Sequence, residues 1–143
     1  MVTVVPLVSA NEKTAADIDA LARELHLDGS SNVSLERIRE VLADAHAVLM
    51  TAQDEGRIVG MATLYILPTT EKRIARVDDV VVLAEYRGQG LGERLMRAVI
   101  DVAKERGVSS LHLTSRPARV AAQKLYEKVG FKKRATDAFK LSL

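Results

Sequence analysis

Residues 80–92, VVVLAEYRGQGLG, constrain this 143-residue chain more than any other stretch. Three consecutive valines favour a buried strand, because β-branched side chains pack well on a pleated surface. Directly beyond Arg87, Gly88, Gln89, Gly90, Leu91 and Gly92, the apolar residues Leu95, Ala98, Val99, Val102 and Ala103 recur at helical spacing. A strand must therefore turn sharply into the N-terminus of a long amphipathic helix. Glycines at alternate positions permit that turn and bare their amide hydrogens. The amides form a nest, the helix N-terminus adds partial positive charge and Arg87 adds a planar donor fork, so a pyrophosphate suits the site. Two rival phosphate motifs fail on spacing. A dinucleotide fingerprint needs a third glycine where Glu93 stands, and no Gly-Lys-Ser/Thr run of the Walker type occurs.

The rest of the chain supplies the elements around this turn. Val2 and Val4 open a strand, Asn11 caps a helix carrying Ile18, Leu21, Ala22 and Leu25, and Ser34 caps a shorter one carrying Ile38, Val41 and Leu42. Between these helices lies the polar loop 26–32, HLDGSSN. Aliphatic runs at 47–52 and 58–67 flank DEGR, residues 54–57, which predicts a hairpin closed through Gly56. A turn at 68–73 leads into the strand RVDDVVVL, residues 76–83. After the long helix, Gly107 precedes a strand at 110–114, and strand, helix, strand implies a right-handed parallel crossover. Pro117 suits the first turn of a last helix bearing Ala118, Ala121, Ala122, Leu125 and Val129, with Gly130 at its end. Phe131 and the alternating FKLSL of 139–143 predict closing strands. The order is βααβββαβαββ, a mixed α/β unit read as one domain over residues 1–143.

Composition narrows the function classes. Lys plus Arg number 21 against 19 Asp plus Glu, a net charge of +2 that is too mild for a nucleic-acid partner but compatible with a small anionic ligand. The absence of cysteine excludes disulfides, thiolate metal sites and a cysteine nucleophile, and makes the cytoplasm the default location. The longest apolar run, residues 80–84, is far short of the roughly 18 residues of a membrane span. The opening MVTVVPLVSA lacks a basic leader and reads as a strand rather than a signal peptide. His26, His46 and His112 have no ligand spacing, so no metal is implied, and no GxSxG supports a serine hydrolase.

The turn and a second landmark together carry a family resemblance. Arg87, Gly90 and Gly92 match the acyl-CoA turn of the GCN5-related N-acetyltransferase (GNAT) family, in which Gln or Arg, two variable residues, Gly, one variable residue and Gly or Ala follow in order. QKLYEKVGF, residues 123–131, is similar to the family's helix carrying LY followed by GF. The resemblance extends over most of the element order. It implies a central mixed, mostly antiparallel sheet with a parallel, splayed strand pair, flanked by four helices. It also implies acetyl-CoA as acyl donor and direct transfer to a primary amine in a ternary complex. The backbone of Val80, Val81 and Val82 would then hold the pantetheine arm, and the turn from Arg87 through Gly88, Gln89, Gly90 and Leu91 to Gly92 the diphosphate.

Proton movement points to further residues. An alkylamine with a pKa of about 10.4 is protonated at neutral pH and needs a base. Asp78 and Asp79 precede the valines and alternate along the strand, so only one of them faces the amine; the family resemblance makes an acidic residue here the base, without deciding which. A leaving thiolate, from a thiol of pKa about 8.5, benefits from a proton donor, and Tyr126 matches the family's LY tyrosine. Seven residues before it, many members carry Asn where this chain has Arg119. Either Gln123 substitutes for that contact with the cofactor or Arg119 reaches a phosphate instead. The expected acceptor is an amine, a small molecule ahead of a protein N-terminus or lysine, with no nucleic acid or membrane partner. A homodimer, formed if the last strand pairs across subunits, is compatible with the resemblance. The alternative is a non-catalytic acyl-CoA binding or sensing module.

Overall fold

A computed structural model describes residues 1–143. The chain runs β1 (Val2–Pro6), α1 (Glu12–Leu25), α2 (Leu35–Ala43), β2 (Ala47–Asp54), β3 (Arg57–Pro68) and β4 (Arg73–Val82). A single 3-10 turn at Ala84–Tyr86 leads to α3 (Leu91–Glu105), β5 (Ser110–His112) and α4 (Val120–Lys128). The sheet order is β1-β2-β3-β4-β5, antiparallel up to β4, with β5 parallel to β4. This is the mixed α/β architecture with four helices that the sequence predicts. No helix is long and apolar enough to cross a membrane.

Local chemistry explains where the elements begin. Asn11 accepts from the Thr14 amide at 3.0 Å while its own amide donates to Thr14 Oγ1 at 3.2 Å, a reciprocal cap that starts α1. Ser34 accepts from the Arg37 amide at 3.2 Å and starts α2. In β3, residues 58–64 are buried without a break, so both faces of this central strand are covered. Leu64 of β3, Leu21 of α1 and Leu95, Met96 and Val99 of α3 lie at the centre of the core. Aromatic residues contribute only Tyr126 to it, as the aliphatic composition anticipates.

Besides β4, which starts at Arg73 rather than Arg76, three expectations from the sequence differ from the structure. The last helix starts at Val120 rather than at Pro117, because Arg119 has ψ of 66° and residues 116–119 close a turn, Arg119 N–H to the Arg116 carbonyl at 3.0 Å. β5 stops at His112 instead of 114, since β4 offers it partners only over Ile74, Ala75 and Arg76. The two closing strands of the predicted order do not form, and the order ends at α4. Phe139, Leu141 and Leu143 alternate as expected but all lie exposed. Alternation creates an apolar face; a strand also needs a free edge of matching length, and β5 is three residues long.

Candidate functional site

The site is built on a break in the β3–β4 ladder. Met61 pairs with Val81, and the next pair is Thr63 with Asp78, so β4 holds an extra residue there. Asp79 carries the distortion, with φ of +54° in the left-handed region where a non-glycine residue is uncommon. The bulge, rather than simple alternation, separates the neighbouring aspartates. Asp78 forms an ion pair with Arg76, Nε to Oδ2 at 2.9 Å. Asp79 opens onto a cleft, where dehydration by the surrounding protein raises its pKa, helped by the adjacent Asp78 and opposed by His26 and Arg76.

Beyond Arg76 the outer edge of β4 has no strand partner, because β5 has ended. Two guanidiniums reach that edge. Arg119 donates to the Val80 carbonyl at 3.5 Å, and Arg87 Nε donates to the Val82 carbonyl at 3.1 Å. Val81 is buried in the core, whereas Val80 and Val82 are half-buried and pack against it. Gln123 is tied elsewhere, donating to the Arg116 carbonyl at 2.9 Å. Of the two residues left open by the sequence, Arg119 is therefore the one that touches β4.

The turn into α3 has the form its glycines require. Gly88 and Gly90 have φ of +78° and +76°, which L side chains adopt only under strain. None of the backbone amides of residues 88–93 donates to another backbone group, and the first helical bond is Arg94 N–H to the Gly90 carbonyl at 3.1 Å. Gly88, Gln89 and Gly90 are exposed, while Leu91 is buried and anchors the helix start. Glu93 turns away to Lys128 at 2.7 Å and Arg97 at 3.0 Å, and its hydrogen bond to Lys128, ahead of that to Arg97, lowers its pKa. A methyl on Gly92 would lie 3.0 Å from Leu125 Cδ2, so the first turn of α3 packs directly on α4.

Tyr126 is only 6% exposed, its ring edge-on to Phe131 with centroids 6.1 Å apart. Its hydroxyl has no hydrogen-bond partner in the protein, yet it is not sealed from solvent. Burial of the ring raises the phenol pKa, and the nearby Arg119 charge opposes this. Two features had no signature in the sequence. Glu24 of α1 holds Arg87 at 2.6 Å and accepts from the Ala84 amide at 3.4 Å, a contact that only the packing of α1 beside the turn creates. Second, a cavity of about 350 Å³ lies between Asp79 and the β5–α4 loop, with Arg116 and Arg119 on its wall and Leu25 and His26 at the end of α1. A separate cavity of about 290 Å³, lined by Leu7, Leu42 and Val102 among others, shares no residue with the site.

Comparison with known proteins bears on the family and the fold. The profile of the acetyltransferase (GNAT) family matches residues 16–131. An N-acetyltransferase of Mycobacterium bovis is 32% identical over 111 residues, covering 78% of this chain and 69% of that protein. The glucosamine 6-phosphate N-acetyltransferase of Trypanosoma brucei brucei is 33% identical over 107 residues, 71% of each chain. Among solved structures, an acetyltransferase of Trypanosoma brucei superposes over 100% of both chains with a TM-score of 0.79 and 27% identity. An aminoglycoside acetyltransferase from a soil metagenome superposes with a TM-score of 0.86 over 99% of this chain and 96% of that one; at 20% identity it speaks for the fold alone.

Proposed function

Since the chain belongs to the acetyltransferase (GNAT) family, we propose that residues 1–143 form one N-acetyltransferase domain that passes an acetyl group from acetyl-CoA directly to a primary amine in the same cleft. The observation that carries this reading is the row of unused amides at 88–93 beside the unpaired outer edge of β4. The residues fit the donor chemically. A diphosphate needs several convergent donors without competing carboxylates, and the turn offers its amides, the N-terminus of α3 and Arg87, with Glu93 turned aside. The amides of a pantetheine arm need an extended backbone to pair with, and Val80, Val81 and Val82 offer one. When bound, acetyl-CoA supplies an activated acyl group. Everything else falls to side chains of this chain.

Asp79 is the base in this reading, in preference to Asp78, because Asp78 is neutralised by Arg76 while Asp79 borders the cavity. Its raised pKa moves the carboxylate toward the working pH and strengthens it as a proton acceptor, acting on the amine at Oδ1 or Oδ2. Tyr126 Oη holds the proton for the departing sulfur. An ordinary phenol of pKa about 10 gives up its proton to a thiolate of about 8.5 at a cost near 2 kcal/mol; burial raises the Tyr126 phenol above that value, so the amides around the site must offset somewhat more. Burial keeps the phenol protonated until it is needed. Arg119 braces the β4 carbonyl that borders the cleft. The acceptor read from this cleft is a small-molecule amine. Relatives are named for acceptors that range from glucosamine 6-phosphate to a ribosomal protein alanine, so the family alone leaves the choice open.

The test is calorimetric titration with CoA together with a thiol-release assay across an amine panel. Saturable CoA binding, weakened by Gly90→Ala, with amine-dependent thiol release supports the reading. No binding at millimolar CoA would remove it. Tight binding without turnover on any amine would leave the acyl-CoA sensing module in its place.

A further inference from the structure

The cavity beside Asp79 has a charge imbalance that the transfer chemistry does not use. Its wall holds one carboxylate, Asp79, against two guanidiniums, Arg116 and Arg119. Elsewhere in the molecule, Arg23, Arg57, Arg76, Arg87 and Arg97 each have a carboxylate within 3.0 Å. Arg116 and Arg119 have none, and although six other arginines also lack a carboxylate partner, these two share one cavity. Arg116 donates one N–H to the Leu25 carbonyl at 3.2 Å and Arg119 one to the Val80 carbonyl at 3.5 Å, which leaves most of the five donors on each guanidinium unused. The same wall adds the hydroxyl residues Thr114 and Ser115, and His26 stands at the rim. A concave surface of uncompensated guanidinium and hydroxyl donors is built for an anion. The diphosphate of the acyl donor already has its own donors at residues 88–93, on the other side of the valine run from Asp79.

We propose that the acceptor is a small primary amine that itself carries an anionic group, a phosphate or a carboxylate, with the amine at Asp79 and the anion paired to Arg116. The proposal rests on the N-acetyltransferase reading above and names its substrate class. Opposite charges lining one cavity orient such a molecule: the ammonium is drawn to the carboxylate, and the anion to the fork of Arg116. A volume of about 350 Å³ lies at the low end for ligand cavities, which suits a sugar- or amino-acid-sized acceptor rather than an extended chain. Arg116 is the specific element, because Arg119 also touches β4. Its side chain can be changed without disturbing its carbonyl, which holds Gln123.

The experiment compares matched pairs of amines: a hexosamine phosphate against the same hexosamine, and an amino acid against its amide. Each is measured by thiol release, and by equilibrium binding to the protein with no acyl donor present. Charge-assisted pairing predicts that at least one anionic member exceeds its neutral twin by about tenfold or more in kcat/KM and in affinity. Arg116→Gln should remove that advantage, chiefly through KM, and leave the neutral twins within about twofold of the unaltered protein. The arm that shows the preference tells phosphate from carboxylate. Equal use of charged and neutral twins would overturn the proposal, as would an Arg116→Gln variant that weakens both alike. If no amine releases thiol, the transferase reading fails, and the binding arm still decides whether this cavity selects an anionic amine.

Discussion

Replacing Asp79 by Asn separates what this residue does for chemistry from what it does for the fold. Asn has nearly the same shape and, like Asp, tolerates the left-handed backbone, so the bulge at φ of +54° is retained. If Asp79 is the base, kcat/KM at neutral pH falls by about 10²- to 10⁴-fold, or about 3 to 5 kcal/mol of transition-state stabilisation. Stability moves the other way. The folded protein raises this carboxyl above its ordinary value of 3.8, chiefly by dehydration and next by the repulsion of Asp78. Between the ordinary value and the raised one, the folded state keeps a proton that the unfolded chain has lost. Stability from this group is therefore greatest below pH 3.8 and declines as pH rises through the folded value. A neutral amide removes that decline, so Asp79→Asn matches or exceeds the unaltered protein in urea melts at pH 7. Asp79→Ala, with no side-chain oxygen to ease the left-handed backbone, should be less stable than Asp79→Asn by about 1 kcal/mol. In pH–rate profiles the acid limb of kcat/KM, with its midpoint above the ordinary carboxylate value, disappears in Asp79→Asn. Full turnover in that variant, or an unchanged acid limb, would refute the assignment; a large loss of stability alongside lost activity would make the carboxylate structural.

Three further outcomes follow from the same geometry. Tyr126→Phe should lower kcat by about tenfold or more while changing stability by less than about 0.5 kcal/mol, because the ring contact with Phe131 stays and the lost hydroxyl has no protein partner; kinetics and thermal melts check both parts. Gly90→Ala forces a methyl-bearing residue to hold φ of +76° at a backbone cost of about 1 kcal/mol; no atom lies within 4 Å of the new methyl, so weakened CoA binding in calorimetry reports the distorted turn rather than a clash. Glu24→Gln frees Arg87 from a half-exposed ion pair worth at most about 1 kcal/mol, so CoA should bind up to about fivefold more tightly. Weaker binding in that variant would mean that Glu24 orients Arg87 instead of competing for it.

Much of the molecule was legible in local pattern. The caps at Asn11 and Ser34, the hairpin at Gly56 and the strand, glycine turn and helix around 80–105 all form as the spacing of their residues predicts. Each depends on neighbours within a few positions, where side-chain type directly sets the backbone. The failures lie where a segment needs a distant partner. Residues 139–143 have the alternation of a strand but pair with none of the sheet's edges, and the last helix begins three residues later than Pro117 suggests, because the Arg119 backbone closes a turn.

The sequence by itself determined the anion-ready turn, the fold class and the short roster of titratable groups, since glycine conformation, apolar period and side-chain chemistry are local properties. Only the tertiary structure decided where those groups stand relative to one another. It set Asp79 on a bulge and left Asp78 to Arg76, withdrew Gln123, tied Arg87 to Glu24 and brought Arg116 to the cavity beside Asp79. Those assignments depend on charge, dehydration and reach across space between residues far apart in the chain, and one-dimensional spacing carries no record of such distances.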